Sequence, residues 1–282
     1  MSTLTTHTTA SRDSHSTGLC KFNTTSKAIE VSDGTNWLVY DYDSVLLSYS
    51  TNALAVSYDG TDDYHQVALD GTSSGGILAS SDTDVELTLS FWIYAQTTSA
   101  LNILSWGNSP TTGTPFFTLQ HNRIYVDGGF QNFSTSLTQS AWNHVLVTRT
   151  ASNNNWNVFL NGNSSAVLTY DDGGSISLRS NANNLYLGIG YNSATQSKID
   201  ECAFWNSDQG SNLSTIYGSA TPGSGSPDTD LTALSPYGWW RMGDGESGAS
   251  DGGAAGTITV FRGSANNMTV GGGSPTYTNS VA

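Results

Sequence analysis

The fold is decided by residues 140–162, SAWNHVLVTRTASNNNWNVFLNG, in which two runs rich in Val and aromatic residues flank a polar segment. Both runs are too short for a globular helix, so they predict one antiparallel β-hairpin. In the second run, Trp156, Val158 and Leu160 alternate with residues that are mostly Asn, which is the pattern of a strand with one face in a core. Asn161-Gly162 then predicts a tight turn, because both residue types tolerate positive φ.

Composition favours strands and excludes one class of partner. A chain of 282 residues can bury a full core, as one large all-β domain or two smaller units. Its 30 Gly, 8 Trp, 13 Tyr and 9 Phe residues suit strands separated by frequent turns. Lys and Arg total 9 against 23 Asp and Glu, and the resulting net charge of −14 opposes binding to nucleic-acid phosphates or anionic lipid. We therefore expect no nucleic-acid partner.

The two cysteines and the first residues bear on cellular context. We expect Cys20 and Cys202 to be unpaired, because one isolated pair is not a disulfide framework. Residues 1–18 have neither a basic start nor an apolar run, so we expect no secretory signal. Elsewhere no stretch is apolar for long enough to span a bilayer, and we expect no membrane insertion.

From Asn52 onward, short strand-like runs follow one another with turn residues between them, which predicts an antiparallel sandwich. Five of these runs, SYDGTDDYHQV, LTLSFWIYA, AWNHVLVTR, WNVFLNG and KIDECAFWN, have the order and approximate spacing of laminin-G-like domains in the concanavalin A-like jelly-roll superfamily. The resemblance covers about residues 52–217. It implies an all-β, antiparallel jelly-roll sandwich, preceded here by an extended N-terminal arm and a small hairpin.

We divide the chain into residues 1–50, an N-terminal arm and anchoring hairpin; 51–217, the laminin-G-like jelly roll; 218–235, a loop or linker; and 236–282, a C-terminal segment. The last segment contains PYGWWRMGDG, which resembles a strand that precedes the Asp-Gly strand in many laminin-G-like domains. We therefore expect it to complete the jelly roll in a circularly permuted arrangement. The alternative is a small separate appendage.

The N-terminal residues carry a second resemblance. Residues 1–18 are polar and lack hydrophobic periodicity, so on their own they are expected to be disordered. LCKFNT and AIEVSD then predict two short strands, and the segment that continues to Trp37 resembles a hairpin found near the N-termini of tailed-bacteriophage virion proteins. An ordinary hairpin with an Asp-Gly turn and a packing Trp is the alternative.

Acidic residues are not arranged for glycoside hydrolysis. Glucanases of the superfamily place alternate acidic residues on one strand, because a nucleophile and an acid must face one sugar. Asp84-Val-Glu86 lacks a third carboxylate, and the neighbouring side chains of Asp200 and Glu201 are expected on opposite faces. No Gly-x-Ser-x-Gly motif occurs either, so we expect no enzymatic activity.

The turn Asp59-Gly-Thr-Asp62-Asp63 is the candidate metal site, because hard cations prefer several carboxylate and carbonyl oxygens. In related domains Ca²⁺ lies where this turn meets the late Ile-Asp-Glu strand, and the resemblance therefore adds Asp200. The expected calcium ligands are Asp59, Asp62 and Asp200. The alternative is a turn capped by Asx hydrogen bonds.

Two function classes follow. The first is a non-enzymatic bacteriophage virion protein, a capsid decoration or a tail or fibre appendage, with a lectin-like domain that binds host-surface glycans. It implies contacts with other virion proteins through the arm, a homo-oligomer, and a virion location after synthesis in the host cytoplasm. The second is a carbohydrate-binding module or adhesin outside a virion. Trp106, Tyr125 and Tyr191 could stack on sugar rings, and the alternative is that they are core or interface residues.

Overall fold

The structure, a computed structural model, describes residues 5–7, 20–23, 28–32, 37–40, 52–68, 86–96, 102–107, 109, 117–126, 128–173, 184–190, 193–218, 229–263 and 265–280. The chain divides into two compact units, Met1–Ser50 and Thr51–Ala282. In the part of the chain that is described, no helix is long and apolar enough to cross a membrane.

The N-terminal unit contains a four-stranded sheet of β1 (Thr5–His7), β2 (Cys20–Asn23), β3 (Ala28–Ser32) and β4 (Trp37–Tyr40), in that order. The predicted small hairpin is confirmed, because β2 and β3 pair antiparallel. β4 pairs antiparallel with β3, whereas β1 pairs parallel with β2. The arm that was expected to be disordered on its own thus contains a strand, to which β2 supplies backbone hydrogen-bond partners.

The second unit is a sandwich of two antiparallel sheets, which confirms the predicted fold class. One sheet has seven strands in the order β11-β10-β9-β8-β15-β6-β21. Its strands are β6 (Tyr64–Ala68), β8 (Asn102–Gly107), β9 (Phe117–Gln120), β10 (Arg123–Val126), β11 (Gly129–Asn132), β15 (Asn184–Leu187) and β21 (Thr269–Gly272).

The other sheet has nine strands, in the order β14-β13-β12-β7-β18-β19-β20, with β5 paired to β18 and β22 paired to β5. Its strands are β5 (Ala55–Asp59), β7 (Leu87–Ala95), β12 (Trp142–Thr150), β13 (Asn155–Leu160), β14 (Leu168–Asp171), β18 (Gln196–Trp205), β19 (Gly238–Trp240), β20 (Arg262–Gly263) and β22 (Thr276–Thr278). The short hairpin of β16 (Ile189–Gly190) and β17 (Ser193–Ala194) and the helix α1 (Leu213–Tyr217) complete the unit, together with the 3-10 turns Gly210–Asn212 and Thr232–Leu234.

The central hairpin is confirmed as β12 and β13, in which Val147 lies opposite Val158. Asn161 and Gly162 follow with φ of 52° and 69°, as the predicted turn requires. Trp156 is buried in the core and stacks on Phe117 of the other sheet, with ring centroids 5.3 Å apart. Burying one such large apolar side chain contributes about 2–3 kcal/mol, so this pair holds the two sheets together.

The C-terminal segment supplies strands to both sheets. β19 pairs with β18 and β22 pairs with β5 in the nine-stranded sheet, while β21 pairs with β6 in the seven-stranded sheet. His65 of β6 adds a side-chain contact, because its Nε2 lies 3.0 Å from the carbonyl oxygens of Ala255 and Gly256. These contacts cover backbone edges of β5 and β6 that would otherwise be open.

Cys202 is a buried free thiol on β18, in agreement with the expectation that it is unpaired. Burial raises the pKa of the Cys202 thiol far above its usual range, so the group is not a reactive thiolate. The side chain of Cys20 lies outside the described residues.

Candidate functional site

The turn between β5 and β6 brings three carboxylates together. One carboxylate oxygen each of Asp59, Asp62 and Asp63 lies within 4.8 Å of the other two. Asp59 and Asp62 are exposed at the tip of the turn, whereas Asp63 is buried at its base. We call Asp59–Asp63 the acidic turn.

Hydrogen bonds assign different roles to these aspartates. The Oδ2 atom of Asp63 accepts the backbone N–H of Asp59 at 2.9 Å, and its Oδ1 atom accepts the backbone N–H of Ser274. Gly273 precedes that serine, and a Cβ atom there would lie only 2.1 Å from Asp63 Oδ1. Asp63 therefore fastens the acidic turn to the C-terminal segment. Asp59 Oδ1 accepts the N–H of Thr61 at 2.7 Å, so the alternative of Asx capping is present in the same turn.

An open cavity of about 710 Å³ adjoins the acidic turn. Besides Asp63, the polar residues that line it are Ser57, Asp59, Asp62, Gln196, Ser274 and Thr276. These side chains offer carboxylate, amide and hydroxyl oxygens, the donor atoms that Ca²⁺ prefers. The residues present therefore fit a hard cation, with Asp59 and Asp62 on the accessible side.

Asp200 is not part of this group. Gln196 is the residue of β18 that lies opposite Asp59, and Asp200 lies four positions further along the strand, about 13 Å away at 3.3 Å per residue. The structure therefore does not bring the predicted set of Asp59, Asp62 and Asp200 together. The third carboxylate beside Asp59 and Asp62 is that of Asp63. Asp200 is fully buried, where its carboxylate accepts the side-chain amide of Asn52 at 3.0 Å and the backbone N–H of Glu201 at 2.9 Å.

Asp200 and Glu201 belong to a buried ionic network beside β19. Glu201 accepts the indole N–H of Trp239 at 2.6 Å and Nε of Arg241 at 2.9 Å, and Arg241 also lies 3.5 Å from Asp244. Burial and the adjoining Glu201 carboxylate raise the pKa of Asp200 well above its usual range. Burial likewise raises the pKa of Glu201 to about 7, although Arg241 opposes the shift. Both carboxylates are inside the protein, so neither can meet a substrate.

A row of residues crosses the outer face of the seven-stranded sheet. Strand register places Phe130, Tyr125, Thr118, Ser105, Tyr186 and Gln66 opposite one another in succession. The middle of the row is covered, since Thr118 and Ser105 are buried and Ser105 Oγ donates to the carbonyl of Ile189 in β16 at 3.3 Å. The end formed by β10 and β11 is open.

At this open end lies an aromatic surface of Arg123, Tyr125 and Phe130, which we call the aromatic patch. Phe130 is 48% exposed, and its ring centroid lies 5.2 Å from that of Tyr125. The guanidinium carbon of Arg123 lies 3.9 Å from the Phe130 centroid. Sequence reasoning named Tyr125 but missed the other two. The alternation within RIYVDGGFQN could have found them, because a hairpin closed at Asp-Gly-Gly puts Tyr125 opposite Phe130.

The other two aromatic candidates do not join the aromatic patch. Trp106 is only 3% exposed and packs inside the sandwich, with its ring centroid 6.1 Å from that of Phe204. Trp106 is therefore a core residue, which was one of the two alternatives for it. Tyr191 lies outside the described residues.

Two solved structures are similar to the chain. A candidate carbohydrate-binding protein from Bacteroides ovatus ATCC 8483 is 16% identical and has a TM-score of 0.51. The match covers 80% of this chain and 60% of that protein, so this chain spans less than two thirds of it. A heptameric SAP-like pentraxin from Limulus polyphemus is 13% identical with a TM-score of 0.43, over 59% of this chain and 82% of the pentraxin. No curated protein matches the sequence.

A sequence profile of the laminin G type, described as the concanavalin A-like lectin/glucanases superfamily, matches residues 59–209. This range begins at the first residue of the acidic turn, contains the whole aromatic patch and ends after β18. It covers more than half of the 282 residues. The chain therefore belongs to the concanavalin A-like lectin/glucanases superfamily.

Proposed function

We propose that the protein is a non-enzymatic carbohydrate-binding protein that uses the aromatic patch to contact sugar rings. The observation that carries the proposal is the exposure of Phe130, 48%, beside Tyr125 at the open end of a lectin-like sheet. An exposed aromatic face stacks on the apolar face of a pyranose, and the phenol O–H of Tyr125 supplies a polar contact at its edge. Membership of a lectin and glucanase superfamily supports the same function.

The non-enzymatic part of the proposal rests on the carboxylates. A glycosidase needs two carboxyl groups that face the same sugar, about 5–10 Å apart. Asp200 and Glu201 are enclosed in the network with Asn52 and Arg241. On the aromatic patch, the three residues that define it include no carboxylate, so binding without hydrolysis is the function that these residues support.

We further propose that the acidic turn holds Ca²⁺, with Asp59 and Asp62 as ligands and Asp63 as the residue that shapes the turn. The bound cation would neutralise the exposed carboxylates, which otherwise repel one another within 4.8 Å. It would also fix the β5–β6 turn against the C-terminal segment. Calcium in this position is structural, because the acidic turn belongs to β5 and β6 and the aromatic patch to β10 and β11.

We further propose a more specific biological setting, a bacteriophage virion in which this chain is a capsid decoration or a tail or fibre appendage. Met1–Ser50 is a separate compact unit, and its described residues form four short strands of three to five residues. Such a unit suits an anchor that packs against other virion proteins or other copies of this chain, while the sandwich displays the glycan-binding surface. A carbohydrate-binding module or adhesin outside a virion is the alternative setting.

The test is binding of the full chain to an array of neutral and acidic bacterial-surface oligosaccharides, compared with Phe130→Ala. We expect at least one glycan to bind and the variant to lose about tenfold in affinity, a loss of about 1.4 kcal/mol, because the ring that stacks on the sugar is removed. Val270→Ala is the matched control, because Val270 is also exposed on the same sheet, at 37%, but on β21 at its opposite edge. Binding that survives Phe130→Ala unchanged would contradict the proposal.

A further inference from the structure

We propose that the aromatic patch recognises a sugar that carries a carboxylate, such as a uronic or sialic acid residue, and that Arg123 binds this carboxylate. The inference rests on the proposed function, because it names the class of glycan for the same surface. Two observations carry it: the contacts that hold the Arg123 side chain in place, and the lack of a carboxylate partner for Arg123 among the described residues.

Arg123 is held in place on one side by a chain of amide hydrogen bonds. Its Nε donates to Gln120 Oε1 at 2.5 Å, and Gln120 Nε2 donates to Asn102 Oδ1 at 2.7 Å. Asn102 Nδ2 in turn donates to Ser193 Oγ at 2.9 Å, in the hairpin that covers the middle of the sheet. Gln120 and Asn102 are 5% and 4% exposed, so this chain is a buried support rather than a surface contact.

The other constraint is the ring of Phe130. Its centroid lies 3.9 Å from the guanidinium carbon of Arg123, which is a close cation–π contact. A guanidinium held by one hydrogen bond and one ring loses little further rotamer entropy when it binds a ligand. Only Nε is used by Gln120, and the two terminal Nη groups are the donors that form a bidentate pair with a planar carboxylate.

The surroundings of Arg123 differ from those of the two buried arginines, Arg149 and Arg241. Arg149 and Arg241 are buried and paired, with Asp172 at 2.8 Å and with Glu201 at 2.9 Å. Among the described residues Arg123 has no carboxylate partner, although the whole chain carries a net charge of −14. In so acidic a protein, an arginine that is positioned and partly exposed without an acidic partner favours an anionic ligand.

His121 does not supply a second cation to the patch. Burial, together with the neighbouring charge of Arg123, lowers the pKa of His121 below its usual value. The imidazole is therefore neutral at pH 7, and Arg123 provides the positive charge at this end of the sheet. The Arg123 guanidinium can pair with a carboxylate while the adjacent Phe130 ring stacks on the sugar that carries it.

The experiment measures the affinity of the full chain for three oligosaccharides that differ at one group: a uronic-acid form, its carboxyl-reduced neutral form, and a sulfated form of the neutral sugar. We expect the carboxylate form to bind about tenfold more tightly than the neutral form. Arg123→Met should abolish that preference, so that the uronic-acid and neutral forms bind the variant with equal affinity. Arg262→Met is the matched control, because Arg262 lies 5.4 Å from the Phe261 ring on the other sheet and its loss changes the net charge equally.

Each outcome has one meaning. If neutral and uronic-acid sugars bind equally, the carboxylate inference is wrong while the proposed function stands. If the sulfated sugar binds more tightly than the uronic acid, the assignment to a carboxylate is wrong. Equal losses in Arg123→Met and Arg262→Met would show that net charge, rather than Arg123, sets the preference. If none of a broad glycan panel binds to the wild-type chain, the proposed function itself fails.

Discussion

Arg123 and Phe130 lie diagonally across the hairpin of β10 and β11, with the guanidinium carbon 3.9 Å from the ring centroid. Diagonal neighbours on one face of an antiparallel pair are close enough for long side chains to meet. The contact leaves Phe130 48% exposed, and it orients a cation beside an aromatic surface. A large apolar ring that remains this accessible on a folded sheet is a candidate contact for a ligand.

Calcium should stabilise the protein through the acidic turn. Adding millimolar Ca²⁺ to the EDTA-treated chain should raise Tm, because a ligand that binds only the folded state stabilises it by mass action. Asp62→Asn should abolish this shift with little change of Tm in EDTA, since Asp62 lies exposed at the tip. Differential scanning calorimetry checks both. Equal melting curves in EDTA and in Ca²⁺ for the wild-type chain would reject the calcium proposal.

Asp63→Asn provides the contrast with Asp62→Asn. Both oxygens of Asp63 accept backbone N–H groups, from Asp59 and from Ser274, so the amide of Asn leaves one of these buried donors unpaired. We expect a loss of about 1–3 kcal/mol in the free energy of unfolding even in EDTA. Denaturant titration measures it. A variant as stable as the wild type would show that Asp63 does not fasten the turn to the C-terminal segment.

The buried carboxylates should make the fold less stable as pH rises. The pKa of Asp200 is raised well above its usual range and that of Glu201 to about 7, so the folded state binds protons that the unfolded chain releases near pH 4. Their contribution is therefore present below about pH 4 and is lost as pH rises, through about 7 for Glu201 and through the raised pKa for Asp200, by at most about 1.4 kcal/mol per pH unit for each proton.

Asp200→Asn tests this, because the isosteric amide removes a titrating group and keeps an oxygen for the Glu201 N–H. Relative to the wild type, the variant should lose less stability as pH rises above about 4. Urea unfolding at several pH values gives the comparison. Parallel pH profiles for the two proteins would mean that Asp200 does not hold a proton in the folded state.

His65 should lower the stability of the fold at acidic pH. Burial lowers the pKa of His65 to about 4, so the stability that its neutral form contributes is present above about pH 6.5 and is lost as pH falls towards 4. His65→Gln retains polar groups for Tyr58 and Ala255 without this titration. Its free energy of unfolding should fall less steeply than that of the wild type between pH 6.5 and pH 4. An equally steep fall would exclude His65 as the source.

The N-terminal unit should be dispensable for folding of the sandwich and required for assembly. Deletion of residues 1–40 should leave a soluble, β-rich protein that melts cooperatively, because both sheets of the sandwich are formed from residues after Thr51. The truncated chain should fail to incorporate into virus particles. Incorporation at the wild-type level, or failure to fold, would contradict the anchoring role.

Local sequence patterns predicted much of the fold, but they could not predict how strands that are distant in sequence align with one another. The hairpin of β12 and β13 and the inward face of Trp156, Val158 and Leu160 follow from alternation within a few residues. Whether Asp200 reaches the acidic turn depends instead on how β18 is aligned with β5, strands more than a hundred residues apart in sequence. A shift of four positions along that pairing separates Asp200 from Asp59.

The candidate site could be predicted only where its residues are close together in sequence. The three aspartates of the acidic turn are adjacent in sequence, so their clustering could be predicted, although the buried role of Asp63 depends on Ser274 far along the chain. Tyr125 and Phe130 share one short hairpin and could both have been assigned to its exposed face. Trp106 could not be placed from its own strand, in which every residue of Asn102–Gly107 is buried.

The most direct test of the central claim is a map of where a bound glycan contacts the protein. The full chain is labelled with ¹³C at Phe and Tyr side chains and titrated with the tightest-binding oligosaccharide from the array, and NMR shifts are followed. We predict that Phe130 and Tyr125 shift in a saturable manner, while Tyr58, which lines the cavity beside the acidic turn, does not. Saturable binding with no shift at Phe130 or Tyr125 would contradict the assignment of glycan binding to the aromatic patch.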